Sequence, residues 1–280
     1  MTTTETERRQ AVYAMGHTPQ EYDRLRMQAR GWETATARLL DQIGLAPGAS
    51  CLDAGCGPGE AMRLMAERVG PSGRVLGVDA DGPLGAMAVG MLHGAGHRQC
   101  TVQVQDLTAG EPVPGAPFDL VYARLLLFHL PQRADVLARL WDAVAPGGHL
   151  LVQDYDLRGI STLPELPWRD DVLRVFTGAF GAAGADVSAG ARLPQLFVQA
   201  GVGTPDGTDV AGRLEPLATG RVIVERSFRS VLPAAVAHGI TTESEAATTL
   251  AAIDRDATRF PDRPLLWPLL IGAWKRKERG

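Results

Sequence analysis

From Ser50 onward, short apolar runs alternate with longer segments whose apolar residues recur at helical spacing. The runs Ser50–Ala54, Arg74–Val78, Thr101–Gln105, Phe118–Ala123 and His149–Gln153 read as strands. Between them, helices are predicted from near Glu60 to near Gly70, over about Pro83–Ala95, and over Pro131–Ala145, where Val136, Leu137, Leu140 and Val144 share a face. Pro146-Gly147-Gly148 reads as the turn into the fifth strand. Val- and Leu-rich strands alternating with helices predict a parallel sheet covered on both faces. Upstream, Thr18-Pro19-Gln20-Glu21 combines a capping Thr, a Pro suited to a first helical turn and a Glu able to reach back. A helix to about Ile43 is predicted there, broken at Gly31 and closed by Gly44. Residues 1–17 are polar and expected to be mobile.

Beyond the fifth strand the pattern weakens. Leu166–Phe180, Arg192–Ala200, Thr219–His238 and Glu243–Thr258 read as helical, with strands near Thr208–Leu214 and Leu265–Trp274. There is no internal repeat or low-complexity linker. The expected division is a helical segment, 1–44, over the ligand site, followed by one α/β domain, 45–280, with cap helices at about 157–184 and 215–260.

Composition narrows the function. The 280 residues are 45% hydrophobic, enough for a large core, and carry a net charge of −4. That balance disfavours nucleic acid, whose binding rests on many Lys and Arg contacts to phosphate. The basic run Lys275-Arg276-Lys277 reads as a solvated tail. Three cysteines, Cys51, Cys56 and Cys100, with no CxxC pair fit neither a disulfide framework nor a zinc site. No signal peptide or membrane-spanning apolar stretch is seen, so a cytoplasmic protein with no membrane partner is expected.

The most informative segment is Asp53-Ala54-Gly55-Cys56-Gly57-Pro58-Gly59-Glu60, between the first strand and its helix. Glycines let the backbone turn tightly and approach a ligand closely, and this strand end is where open α/β sheets bind ligands. Without a ligand the loop would be only a tight connection, but three alternate glycines exceed what a turn needs. The dinucleotide pattern GxGxxG needs Gly at position 60, which holds Glu60. Asp79 ends the second strand 20 residues past Gly59, where a ribose-binding acid belongs. Asp106 follows the third strand and could accept from an exocyclic adenine amine. Either acid could instead serve a turn or cap.

Leu52–Gly59, Val78-Asp79, Gln105-Asp106-Leu107, Phe118-Asp119-Leu120-Val121 and Pro146-Gly147-Gly148 together resemble the ordered motifs of class I S-adenosylmethionine-dependent methyltransferases. Within that class the chain looks most like the UbiE/Coq5-like small-molecule branch, although its residues around the fourth strand differ from those of the true quinone enzymes. The resemblance covers roughly residues 45–155. It implies a Rossmann-like sheet of seven strands, mostly parallel with the last antiparallel, and helices on both faces. It also implies that S-adenosyl-L-methionine is held by the loop containing Asp53, Gly55, Cys56, Gly57 and Gly59. Asp53 would orient the loop and the amino group. Asp79, with Ala80 and Asp81, would hold the ribose, Asp106 and Leu107 would flank the adenine, and Arg124 would border the methionine portion. Tyr22, Arg26 and Gln28 on the first helix would close over the cofactor, or else merely pack.

The expected reaction is methyl transfer to a small organic molecule, in secondary metabolism, by a single chain or a homodimer. His129, in the apolar run Arg124–Leu130 after the fourth strand, is the leading candidate base, kept neutral by its surroundings. A structural hydrogen-bonding role is its alternative. Asp154, which with Asp156 ends the fifth strand, is the second candidate base or substrate anchor. No ligand set with metal spacing accompanies this pair. Trp168, Phe176, Phe180 and Phe228 are candidates for pocket wall or core. Two other functions remain open: a non-methylating cyclase on the same fold, and an NAD-dependent dehydrogenase, against which Glu60 counts.

Overall fold

A computed structural model describes residues 19–279 of the chain; the capping Thr18 and the polar segment 1–17 lie outside the described residues. Helix α1 (Pro19–Gly31) is followed directly by α2 (Glu33–Gln42). The interruption falls at Trp32, one residue after Gly31, where the absence of a side chain makes room for the Trp267 ring: a Cβ there would stand 2.8 Å from it. Strand β1 (Ser50–Ala54), helix α3 (Glu60–Val69), β2 (Arg74–Asp79), α4 (Gly82–Gly94) and β3 (Cys100–Val104) follow within a residue or two of expectation. Next come β4 (Phe118–Arg124), α5 (Arg133–Asp142) and β5 (Val144–Asp156).

The fifth strand differs from the sequence reading. Val144, predicted to be helical, pairs with Phe118, and the Pro146-Gly147-Gly148 segment belongs to β5. The register against β4 shifts between Phe118 and Leu120, and Gly147 absorbs that irregularity at φ +85°.

The second half comprises β6 (Ser161–Thr162), α6 (Trp168–Ala182), α7 (Leu193–Gln199), β7 (Gly207–Ala211), β8 (Leu214–Pro216), α8 (Leu217–Ala237), α9 (Glu243–Arg259), β9 (Pro264–Leu266) and β10 (Leu269–Arg276). Each of the two late strands read from the sequence is therefore two strands. The main sheet has the order β3-β2-β1-β4-β5-β10-β7, parallel except for β10, which runs antiparallel to β5 and β7. A small antiparallel sheet, β6-β9-β8, sits apart from it.

Alternation along the central strands explains the layers. Leu120, Tyr122 and Leu151 point to the face packed by Leu39, Leu40, Met62 and Met65 of α2 and α3. Val121, Ala123, Leu150 and Val152 point to the face packed by Leu137, Leu140 and Phe197 of α5 and α7. A third apolar cluster joins Trp32, Phe128, Phe176, Phe228 and Trp267, so α6, α8 and α9 cap the carboxyl end of the strands with a core of their own. Among the described residues no helix is long and apolar enough to cross a membrane.

Candidate active site

The carboxyl ends of β1, β2 and β4 open into a cavity of about 1010 Å³, roofed by α1, α6, α8 and the β9–β10 connection. The turn after β1 is drawn against β2: the amides of Gly55 and Cys56 both donate to the Val78 carbonyl, at 2.8 and 3.1 Å. Gly55 and Gly57 adopt φ of +69° and +49°, a region that side-chain-bearing residues rarely occupy. At Gly55 a Cβ would also stand 2.9 Å from Leu126 Cδ1.

Asp79 braces this loop from the opposite strand. Its Oδ2 accepts from the Gly57 amide at 2.8 Å and its Oδ1 from the Asp81 amide at 2.9 Å. Burial nevertheless pushes its carboxyl up from the ordinary value. Asp81 caps α4 by accepting from Leu84 N, and accepts from the Tyr22 hydroxyl at 3.0 Å, joining α1 to the loop. Asp106 closes a turn, its Oδ1 accepting from the Thr108 amide and hydroxyl.

Asp53 lies deepest. It is buried, and its Oδ2 has no hydrogen-bond partner in the protein. Desolvation raises its carboxyl to about 7, although the nearby Arg124 guanidinium opposes the shift. Arg124 is itself held by donation from Nη1 to Thr36 Oγ1 at 2.9 Å, and Thr36 donates in turn to Gln153 Oε1 at 2.8 Å.

Tyr22, Gln28, Asp53, Gly55, Cys56, Gly57, Asp79, Ala80, Asp106, Leu107, Arg124 and His129 all line this one cavity. Two residues singled out with them lie off its wall. Gly59 shares the positive φ of the turn, at +78°, but faces α4, where a Cβ would approach Ala88 Cβ to 3.0 Å and Leu92 Cδ1 to 3.2 Å. Asp154 is fully buried, its Oδ2 accepting from the Phe128 amide at 2.8 Å and its Oδ1 from the Tyr155 amide at 3.1 Å. Burial raises its carboxyl to about 7. It lies beneath the turn that carries His129. Asp156 pairs with Arg158 at 2.6 Å, and Arg26 reaches Met91 Sδ and Glu60 outside the main cavity.

His129 stands at the wall between the rings of Phe128 and Phe180, whose centroids lie 4.8 and 5.9 Å from its own. Desolvation, reinforced by Arg24, lowers its imidazole to about 3, so it is neutral across the physiological range. Phe176 and Phe180 are wall, whereas Trp168 and Phe228 belong to the core alone.

Tyr155 and Arg24 line the cavity without a forewarning in the sequence reading. The Tyr155 hydroxyl accepts from Gln28 Nε2 and Trp32 Nε1 at 3.0 and 2.6 Å. Arg24 is bidentate to Glu21, at 2.8 and 2.6 Å, and contacts Gln28. The i,i+3 spacing of Glu21 and Arg24 signals their pairing in the sequence. Nothing in the sequence brings Ile160, Ile223 and Trp267 to the same wall.

A family model described as a methyltransferase domain matches residues 22–181. Methyltransferase str3 of Strobilurus tenacellus is 35% identical over 149 residues, which are 52% of this chain and 50% of that protein. The trans-aconitate 2-methyltransferase of Paracidovorax citrulli is 35% identical over 157 residues, 52% of this chain and 57% of that one. The chain thus spans about half the length of the curated relatives it matches. In fold it is similar to protein BH2331 of Bacillus halodurans (TM-score 0.60, 16% identity, 88% of this chain and 99% of that one). It is also similar to phosphoethanolamine N-methyltransferase 2 of Haemonchus contortus, solved with S-adenosylhomocysteine (TM-score 0.52, 18% identity, 88% of this chain and 52% of that one). The family match runs from α1 through the glycine loop and strands β1 to β6 to α6, more than half of the chain, and the chain belongs to the methyltransferase-domain family.

Proposed function

We propose that this protein transfers a methyl group from S-adenosylmethionine to a small organic molecule, in the manner of secondary-metabolic methyltransferases. The observation that carries the proposal is the convergence, on one cavity, of a positive-φ glycine turn, the partnerless Oδ2 of Asp53 and the braced carboxylate of Asp79. This donor set fits the cofactor. A buried carboxylate oxygen without a donor suits a cationic amino group, and Asp79 keeps acceptor capacity beyond the two amides it already receives. Bound S-adenosylmethionine would supply a methyl carbon made electrophilic by its sulfonium.

In this reading Asp53 and Arg124 hold the amino-acid end, with Gly55, Cys56 and Gly57 offering backbone at close range. Asp79, with Ala80 beside it, takes the ribose, and Asp106 and Leu107 border the base. Tyr22 and Gln28 close the site from α1. Gly59 contributes by letting α3 and α4 approach. The chain's further contribution is placement within an apolar enclosure, where holding reactants in register removes several kcal/mol of barrier. The neutral imidazole of His129 accepts the proton of an acceptor hydroxyl. Asp154 is a positioning residue: its hold on the Phe128 amide fixes the turn that presents His129.

We assign the chain to the UbiE/Coq5-like small-molecule branch, with a cytoplasmic setting, no nucleic-acid partner and action alone or as a homodimer. Of the expected segment 1–44, residues 19–44 form the part over the cofactor and 1–18 lie outside the described residues; 45–280 is the methyltransferase domain with its caps at 157–184 and 215–260. The alternate spacing of Gly55, Gly57 and Gly59, with Glu60 where a dinucleotide loop requires glycine, and relatives named as methyltransferases support this reading over a dehydrogenase. Isothermal titration with S-adenosylhomocysteine tests it. Binding is expected, and absence of binding by the folded protein overturns it.

A further inference from the structure

We infer that the acceptor taken by this cavity is an uncharged, largely apolar molecule and not a polycarboxylate. The inference rests on the methyl-transfer reading above and narrows its substrate. Among the described residues, the charged groups lining the cavity are the carboxyl groups of Asp53, Asp79, Asp81 and Asp106 and the guanidinium groups of Arg24 and Arg124. The acids belong to the part proposed for the cofactor, and both bases are engaged. Arg24, only 3% exposed, is locked bidentate to Glu21, and Glu21 is held in place by the Ser230 hydroxyl at 2.7 Å. Arg124 stands against Asp53 and is tied to Thr36. To find a cationic partner on the described wall, an anionic acceptor would have to displace Glu21 from a buried ion pair, an exchange that leaves a buried carboxylate unpaired and is costly where polarity is low.

The rest of the wall is built for burial of apolar surface. Phe128, Phe176 and Phe180 form a connected ring cluster, with centroid separations of 4.9 Å for Phe128–Phe180 and 6.1 Å for Phe176–Phe180. Ile160, Ile223 and Trp267 complete it from three other elements. The polar groups interspersed with them, His129, Tyr155, Gln28 and Ser227, are neutral hydrogen-bonding groups that orient a hydroxyl or carbonyl without asking for charge.

The test uses the full chain saturated with S-adenosylhomocysteine, with 2-naphthol and trans-aconitate as probes in equilibrium dialysis. Binding of 2-naphthol at least tenfold tighter than trans-aconitate is expected. Equal or tighter binding of trans-aconitate overturns the inference, as does failure of 2-naphthol to bind. Phe180→Ala should weaken 2-naphthol at least fivefold while leaving S-adenosylhomocysteine affinity within twofold. Ile223→Ser, on a different element, should do the same, and unchanged naphthol affinity in a folded variant counts against the inference. If S-adenosylhomocysteine itself does not bind the wild type, the methyl-transfer reading fails and takes this inference with it. If it binds and trans-aconitate is preferred, only the inference fails.

Discussion

Asp53 sets stability against binding, and Asp53→Asn separates the two. In the free protein a carboxyl whose ordinary value is 3.8 is raised to about 7 by burial. Below pH 3.8 the folded and unfolded states are equally protonated at this site. Between 3.8 and about 7 the unfolded state releases its proton and the folded state retains it, so stability falls as pH rises through that window. At 1.36 kcal/mol per unit, the full window costs ~4 kcal/mol, an order-of-magnitude figure. Asn removes that cost but buries an amide without a partner, at roughly 1–3 kcal/mol. The variant should therefore gain ~1–3 kcal/mol at pH 8, or ~2–6 °C in Tm for a chain of this size. At pH 4.5 the gain should vanish or reverse. S-adenosylhomocysteine affinity should meanwhile fall at least tenfold, because the anionic partner of its amino group is gone. Thermal melts at the two pH values, with and without ligand, and titration calorimetry measure all three quantities. A variant that is destabilised equally at both pH values, or that keeps wild-type affinity, refutes the reasoning.

Asp79→Ala should lower S-adenosylhomocysteine affinity at least tenfold by calorimetry, since it removes a charged acceptor worth ~1.5–3 kcal/mol and unties Gly57 from β2; unchanged affinity would take Asp79 out of the site. His129→Ala should cut turnover of a hydroxyl acceptor by about 10²–10⁴ with cofactor affinity unchanged. The wild-type rate should show no limb near pH 6.5, because the imidazole is held near 3; such a limb, abolished in the variant, would contradict the placement of His129. Millimolar NAD or NADP should give no thermal stabilisation, since Glu60 is buried and paired with Arg30 at 3.1 Å where a dinucleotide loop requires Gly.

The wall proposed for the cofactor carries local signals in the sequence. The glycine loop, Asp79 and Asp106 each sit at a strand end that apolar runs mark within one or two residues, and β1 to α4 followed accordingly. The wall proposed for the acceptor was not legible, because it is assembled from α1, α6, α8 and the β9–β10 connection, far apart in the chain. Strands as short as β6, β8 and β9 carry too few positions for periodicity, so the small sheet was absorbed into its neighbours. Spacing also could not separate Gly59 from the other loop glycines, nor Asp154 from a wall residue. The first required knowing where α4 packs, and the second that a backbone amide occupies the carboxylate.

The position of β10 has a consequence for biosynthesis. The strand made last is inserted between β5 and β7 and supplies the ladder partners of both. While the ribosome is still extending the chain, β1 to β5 can assemble from neighbouring βα units, but β5 then presents an open, apolar edge and β7 has no place in the sheet. The residues just ahead of β10, Leu266-Trp267-Pro268, also line the cavity, so the cavity closes only when synthesis has passed them. Nascent chains stalled before residue 264 should therefore be captured by chaperones through the β5 edge, and release past residue 276 should complete the sheet and the cavity in one step.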